Sequence, residues 1–229
     1  MAATWYWLVA LMIAGYVVLD GYDLGAGILH LVLGRSDADR RAILASIGPL
    51  WDGNEVWLLA GGGTLFFAFP ALYAASFSGF YLPLIMVLWL LVGRAVGIEF
   101  RSHVESDAWR PLFDVAFAAS SALLALFFGV ALGNVVRGVP FEADGSFFEP
   151  LWTDLSPVRG SGILDAYTVP CGVAAVVALA MHGAFWLALR TEGDLGDRAR
   201  RLAQRLSWGT LAALVGLTAE TAWVQPHVR

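Results

Sequence analysis

Long apolar segments follow one another along almost the whole chain, and they constrain the fold more than any other feature. A helix needs about 20 apolar residues to cross the hydrocarbon core of a membrane. Six segments meet that requirement, at residues 5–33, 51–76, 77–98, 112–136, 162–189 and 206–224. None alternates with the period of two that is typical of strands. The sequence therefore predicts an all-α, polytopic transmembrane bundle of about six spans, forming one domain over residues 1–229.

The composition excludes several other classes of protein. Only 14% of the residues are charged, against about 25% in soluble domains. The net charge of −5 gives no support to nucleic-acid binding. A single cysteine, Cys171, offers neither a disulfide framework nor a cysteine metal site. The first basic residue is Arg35, so we expect the first helix to be retained rather than cleaved as a signal peptide.

The distribution of arginines predicts the orientation of the bundle. The loops after the first, third and fifth segments contain ten arginines, at positions 35, 40, 41, 101, 110, 190, 198, 200, 201 and 205. The opposite side has Arg137, Arg159 and Arg229. Because arginine-rich loops stay on the cytoplasmic side, both termini are predicted to lie outside. In the first of these loops, Ser36 and Asp39 resemble a capping box that opens a short interfacial helix.

Ionisable residues occur inside the apolar segments, where each costs about 2.5–3.5 kcal/mol on insertion scales. They are Asp20 and Asp23 in the first segment, Asp52 and Glu55 in the second, Arg94 in the third and Asp114 in the fourth. All six are predicted to lie in the cytoplasmic half. Two interpretations stay open at this point. The residues form a hydrated pocket that conducts protons or holds a polar headgroup, or Arg94 forms buried ion pairs that lock the helices together.

Four stretches carry a resemblance to a known family. They are DGYDLGAG at 20–27, GPLWDGNEVWL at 48–58, FFAFP at 66–70 and YAASFSGFY at 73–81. Arg94, Arg101-Ser102, Gly133-Asn134 and GVPF at 138–141 follow in the same order. Over essentially its whole length the chain resembles subunit II of the cytochrome bd-type quinol oxidases.

The resemblance implies a function in a complex. Subunit I of such oxidases binds two b-type haems and one d-type haem and oxidises quinol. Subunit II packs against it without ligating haem. The complex reduces oxygen to water with protons from the cytoplasm, generating a proton-motive force without pumping. The expected location is the bacterial plasma membrane, with lipid, quinol and a small accessory subunit as further partners. This chain alone is expected to bind no cofactor or metal and to contain no catalytic residue.

Site residues are carried over one at a time. The resemblance implies that Asp52, with Glu55, is the point where protons enter from the cytoplasm. It places a buried polar cluster, important for assembly or for the haem environment, at Asp20, Asp23, Arg94 and Asp114. It gives supporting roles at a partner interface to Trp51, Gly53, Asn54 and Trp57. Because the family usually has two further helices, we expect this chain to lack the last two.

Two alternatives are kept beside this interpretation. A proton-coupled transporter would also use a buried cluster of acids and arginine, but transporters often repeat such features in both halves, and 20–27 has no counterpart in the later segments. A stand-alone cytochrome would hold haem between His30 and His182. Interfacial histidines are more often ordinary hydrogen-bonding groups.

Overall fold

A computed structural model describes residues 1–157 and 162–225, and within these ranges the chain is helical and contains no strand. The helices are α1 (Ala2–Leu33), α2 (Asp37–Ile47), α3 (Trp51–Ala68), α4 (Pro70–Gly79), α5 (Tyr81–Phe100), α6 (Trp109–Arg137), α7 (Thr168–Arg190) and α8 (Gly193–Val224). This confirms the predicted all-α class. Arg159 and Arg229, which entered the orientation argument, lie outside the described residues.

Among the described helices, α1, α5, α6 and α7 are long and apolar enough to cross a membrane, and the bent pair α3 and α4 gives a fifth span if it is counted as one. The sixth predicted segment, 206–224, lies in the second half of α8. The chain is thus a multi-pass membrane protein. The count of six spans and the outward position of the termini stay predictions.

One predicted segment is wrong in its shape. Residues 51–76 do not form one continuous helix, because the chain turns by 119° between α3 and α4. Proline at position 70 lacks an N–H donor and disfavours helical geometry at the residue before it, and Phe69 leaves the helical region with φ −136° and ψ 61°. The predicted boundary near Ser76 is also misplaced, since α4 continues to Gly79 and α5 begins at Tyr81.

The break explains how this region is arranged. At 1.5 Å per residue, the 18 residues of α3 rise about 27 Å, which is close to the thickness of the hydrocarbon core. The length of α3 is therefore close to that of a span, and α4 leaves the direction of α3 at an angle of 119°.

Helix α1 is the central element and packs against α3, α6 and α7, while α5 packs on α6 and α8 on α7. Two glycines permit the contact between α1 and α7: a Cβ added at Gly25 would lie 2.6 Å from the backbone nitrogen of Gly183. α2 buries Ile43 and Ile47 fully against this core. Its predicted capping box is confirmed, because Ser36 Oγ accepts a hydrogen bond from the Asp39 backbone N–H at 3.1 Å.

Large apolar side chains cover the outward faces of α1, α3 and α5. Trp7 is 70% exposed, Leu59 72%, Phe67 76% and Trp89 69%. A surface of this kind is stable only against lipid or another apolar protein surface.

Candidate functional site

Arg94 is fully buried and binds two carboxylates from other helices. Its Nη1 lies 2.8 and 3.0 Å from the two carboxylate oxygens of Asp20, and its Nη2 donates to Glu55 Oε1 at 2.5 Å. Asp20 is also fully buried, whereas the Glu55 side chain is 23% exposed. We call these three residues the Arg94 triad. Because α5 packs mainly against α6, Arg94 ties α5 to α1 and α3 through its long side chain.

Asp23 lies one turn from Asp20 but belongs to a different set of contacts. Its Oδ2 lies 2.7 Å from Asn54 Nδ2, and the same amide nitrogen is 2.7 Å from the Tyr22 hydroxyl. Asp23 is fully buried, its Oδ1 has no hydrogen-bond partner, and no arginine contacts it within the described part of the chain. Protonation of this carboxyl group would therefore break no ion pair.

The first turns of α3 place the other motif residues. Asp52 is exposed and forms no ion pair with any described residue. Gly53 faces open space, since a Cβ there would meet nothing within 4 Å. Trp51 is buried, whereas Trp57 is 38% exposed and its ring lies over Gly15 of α1. The surface next to Asp52 and Trp57 is thus uncovered in this chain.

Asp114 lies apart from the Arg94 triad, at the arginine-rich end of the bundle. Its carboxylate accepts hydrogen bonds from His30 Nε2 at 2.6 Å, from Arg40 Nη1 at 2.8 Å and from Arg101 Nε. Arg101 also donates to Asp37 at 2.8 Å. This group, the Asp114 cluster, joins α1, α2, α6 and the end of α5. Arg40 and Arg101 were not expected as partners, and the sequence pattern offered no signal that selects them.

Two arginines from other parts of the chain, Arg101 and Arg198, bind the acids in the first turn of α2. The hydrogen bond from Arg101 holds the pKa of the Asp37 carboxyl below its usual range. Arg198 of α8 donates to Asp39 at 2.9 Å and to the carbonyl of Leu33 at 3.1 Å. The predicted arginine-rich loops therefore meet at one end of the molecule, where acids of α2 form ion pairs with arginines of the other two loops.

A second buried cluster, at the opposite end, was missed. Arg137 donates to Asp165, to Glu149 Oε1 at 2.6 Å and to Asn134 Oδ1 at 2.7 Å. Asp165 also accepts the backbone N–H groups of Tyr167 and Thr168, each at 2.7 Å, at the start of α7. The Asp165–Thr168 spacing was the available signal, because it is typical of a helix start. This cluster holds the described residues of the loop between α6 and α7 against the ends of these two helices.

The positions of His30 and His182 do not fit a haem held between these two residues. His30 directs Nε2 to Asp114 and lies against Phe117, whereas the His182 ring faces Tyr22 at 6.0 Å between centroids. Tyr22, which His182 contacts, precedes His30 by eight positions on α1, or roughly 12 Å along the helix. The two rings therefore do not face each other across one site, as bis-histidine ligation requires.

Comparisons with known proteins agree with one another. Residues 1–228 match the family model described as "Cytochrome bd terminal oxidase subunit II". The "Cytochrome bd-I ubiquinol oxidase subunit 2" of Escherichia coli is 40% identical over 223 residues, covering 93% of this chain and 55% of that protein. The "Cytochrome bd ubiquinol oxidase subunit 2" of Bacillus subtilis is 35% identical over 219 residues, covering 96% and 62%.

The fold is similar to that of a solved structure. A chain of the bd oxidase from Geobacillus thermodenitrificans superposes with a TM-score of 0.73 at 16% identity, over 97% of this chain and 64% of that one. The chain thus spans between half and two thirds of the length of these relatives.

Proposed function

The chain belongs to the cytochrome bd terminal oxidase subunit II family, and from this premise we propose that it is the non-haem-ligating subunit of a quinol:oxygen oxidoreductase in a bacterial plasma membrane. In our proposal the chain is part of a haem-containing oxidase complex, which its family membership supports. In our proposal, quinol oxidation and the b- and d-type haems belong to subunit I, and this chain alone is not catalytic. Lipid, quinol and a small accessory subunit are further proposed partners.

The uncovered face of α3 supports the proposed position of the partner. Val56 and Leu59 are more than half exposed there, and Trp57 is 38% exposed. Gly53 leaves open space beside them. Subunit I packs on this face, with Trp57 and Gly53 at the contact. Trp51 and Asn54 are buried within this chain, so they hold α3 in position by internal contacts and do not touch the partner.

The proposed proton path begins at the same face. Asp52 is exposed, and Glu55 lies one helical turn further along α3. The Glu55 carboxylate binds Arg94 and is partly exposed. This pair of acids is the observation that carries the proposal. Reduction of oxygen to water consumes one proton for each electron, and carboxyl groups along a helix exchange protons with water in the low-dielectric interior. Protons enter at Asp52 and pass through Glu55 toward subunit I. Proton uptake from the cytoplasm makes turnover electrogenic without pumping.

The structure supports different roles for the other buried acids. Asp20 has both oxygens on Arg94 and therefore holds helices together, as Asp114 does in its own cluster. Asp23 has no arginine partner among the described residues, so it is the fully buried acid that can be protonated without loss of an ion pair, beside the partly exposed Glu55.

The first experiment tests the complex as a whole. The chain is tagged and purified from its native membranes, and the reduced-minus-oxidised absorbance spectrum and quinol-dependent oxygen consumption are recorded. A d-type haem band that co-purifies with oxidase activity supports the proposal. A colourless and inactive product would contradict it and favour the proton-coupled transporter.

A further inference from the structure

One face of α8 changes from basic to aromatic to apolar along its length. Arg201, Arg205 and Trp208 follow the spacing that aligns side chains on one side of a helix. All three are exposed, Trp208 by 75%. The same face continues with Leu211, 52% exposed, and Val215, 63% exposed.

This order matches the layers of a membrane surface. Arginine is found at the level of the lipid headgroups, tryptophan at the boundary with the hydrocarbon, and leucine and valine within the hydrocarbon. With a rise of 1.5 Å per residue, Arg205 lies about 4.5 Å and Arg201 about 10 Å along the axis from Trp208. Arg198, one turn before Arg201, contacts Asp39 and the end of α1. The basic part of the face therefore lies at the arginine-rich end of the bundle.

The charges of these two arginines are not compensated within the described part of the chain. Neither Arg201 nor Arg205 forms an ion pair there. Their neighbours on the same helix do, since Arg198 pairs with Asp39 and Asp194, and Arg200 with Asp197 at 3.2 Å. The two free guanidinium groups border a shallow groove of about 290 Å³, which is lined by Arg201, Gln204, Arg205 and Trp208.

We propose that this face of α8 is a binding site for an anionic phospholipid. The headgroup phosphate lies in the groove and accepts hydrogen bonds from Arg201 and Arg205, whose planar guanidinium groups suit phosphate oxygens. An acyl chain continues along Leu211 and Val215. A soluble anion would use only the basic half of the face. A lipid uses both halves, since its charge and its apolar chain are joined in the same order as the side chains.

The test measures lipid binding to the purified complex in non-ionic detergent by native mass spectrometry. Phosphatidylglycerol and phosphatidylcholine with identical acyl chains are titrated separately. Removing one arginine near an anionic surface weakens binding roughly fivefold, so R201Q/R205Q binds phosphatidylglycerol about 25-fold more weakly than the unchanged complex. R200Q is the matched control, because Arg200 is exposed on the same helix and already paired with Asp197. It binds like the unchanged complex.

Two results would overturn the proposal. The first is equal binding of phosphatidylglycerol and phosphatidylcholine to the unchanged complex, which would mean that no site selects the anionic headgroup. The second is undiminished phosphatidylglycerol binding by R201Q/R205Q, which would place the lipid elsewhere. The R201K/R205K variant keeps both positive charges and is expected to retain most of the binding. It shows whether the loss in R201Q/R205Q comes from the missing charges or from disturbed structure. The readout does not depend on oxidase turnover, so its failure is distinct from failure of the proposed function.

Discussion

Arg94 on α5 and Asp20 on α1 form an ion pair in which one guanidinium nitrogen contacts both carboxylate oxygens, at 2.8 and 3.0 Å, and neither side chain reaches the surface. The second terminal nitrogen binds Glu55. Since three helices meet through this single cation, its loss leaves two carboxylates without their partner in a medium that solvates them poorly.

The Arg94→Leu variant is expected to lose most of its assembled complex. Removing one partner of a buried ion pair costs about 3–5 kcal/mol, which is a large part of the stability of a protein. The measurement is the yield of complex by fluorescence-detected size-exclusion chromatography. Arg35→Leu is the control, because the Arg35 side chain is exposed and forms no ion pair with a described residue. Normal yield of Arg94→Leu would show that the pair does not hold the helices together.

The Asp52→Asn variant is expected to turn over more slowly with its haem spectrum and yield unchanged. Asp52 is exposed and unpaired among the described residues, so its replacement disturbs no packing. Proton transfer by a positioned side chain contributes about 100-fold or more, and water partly replaces a group at the surface, so we expect a loss of about tenfold. Quinol-dependent oxygen consumption measures it. Asp107→Asn, another exposed acid at the same end, keeps full turnover. Full turnover in Asp52→Asn would remove this residue from the proton path.

The Gly25→Ala variant is expected to reduce the stability of the bundle strongly. A Cβ at Gly25 would lie 2.6 Å from the nitrogen and 2.7 Å from the Cα of Gly183. Both are backbone atoms, so α1 and α7 must separate, and overpacking of this kind costs about 1–3 kcal/mol or more. The apparent Tm in detergent measures the change. Gly62→Ala is the control, because its Cβ meets nothing within 4 Å. Equal Tm values for the two variants would contradict the close contact.

The Asp37→Asn variant tests the contact between α2 and Arg101 through its pH dependence. The hydrogen bond from Arg101 lowers the pKa of Asp37 in the folded state, so the stabilisation is present above the ordinary pKa of about 3.9. It is lost as the pH falls through the lowered value. We expect a small decrease in Tm at neutral pH, since the Asp37 side chain is 37% exposed although Arg101 is buried, and ion pairs open to solvent contribute about 1 kcal/mol or less. The difference from the unchanged protein shrinks as the pH falls below about 4. A difference independent of pH would show that the carboxylate charge is not responsible.

Much of this architecture follows from local properties of the chain. Segments 5–33, 77–98 and 112–136 became helices close to their predicted bounds, because the length of an apolar run decides whether it spans a membrane. The capping box at Ser36 was predicted for a similar reason, since it involves only neighbouring residues. The bend at Phe69 was missed because hydropathy does not detect a proline within an apolar run, although the signal was present at Pro70.

Position along a helix is the quantity that the sequence by itself determined, and from it Asp20, Asp23, Asp114 and Arg94 were predicted to lie in one half of the membrane. Which of these residues meet depends on how each helix is rotated and which neighbour it packs against. Only the tertiary structure decided that Arg94 binds Asp20 and Glu55. It likewise decided that Asp114 binds His30, Arg40 and Arg101. Asp23 forms its hydrogen bond with Asn54 instead. The physical reason is that helix rotation is set by packing between distant residues, such as Gly25 and Gly183, and no local pattern of hydropathy or charge contains it.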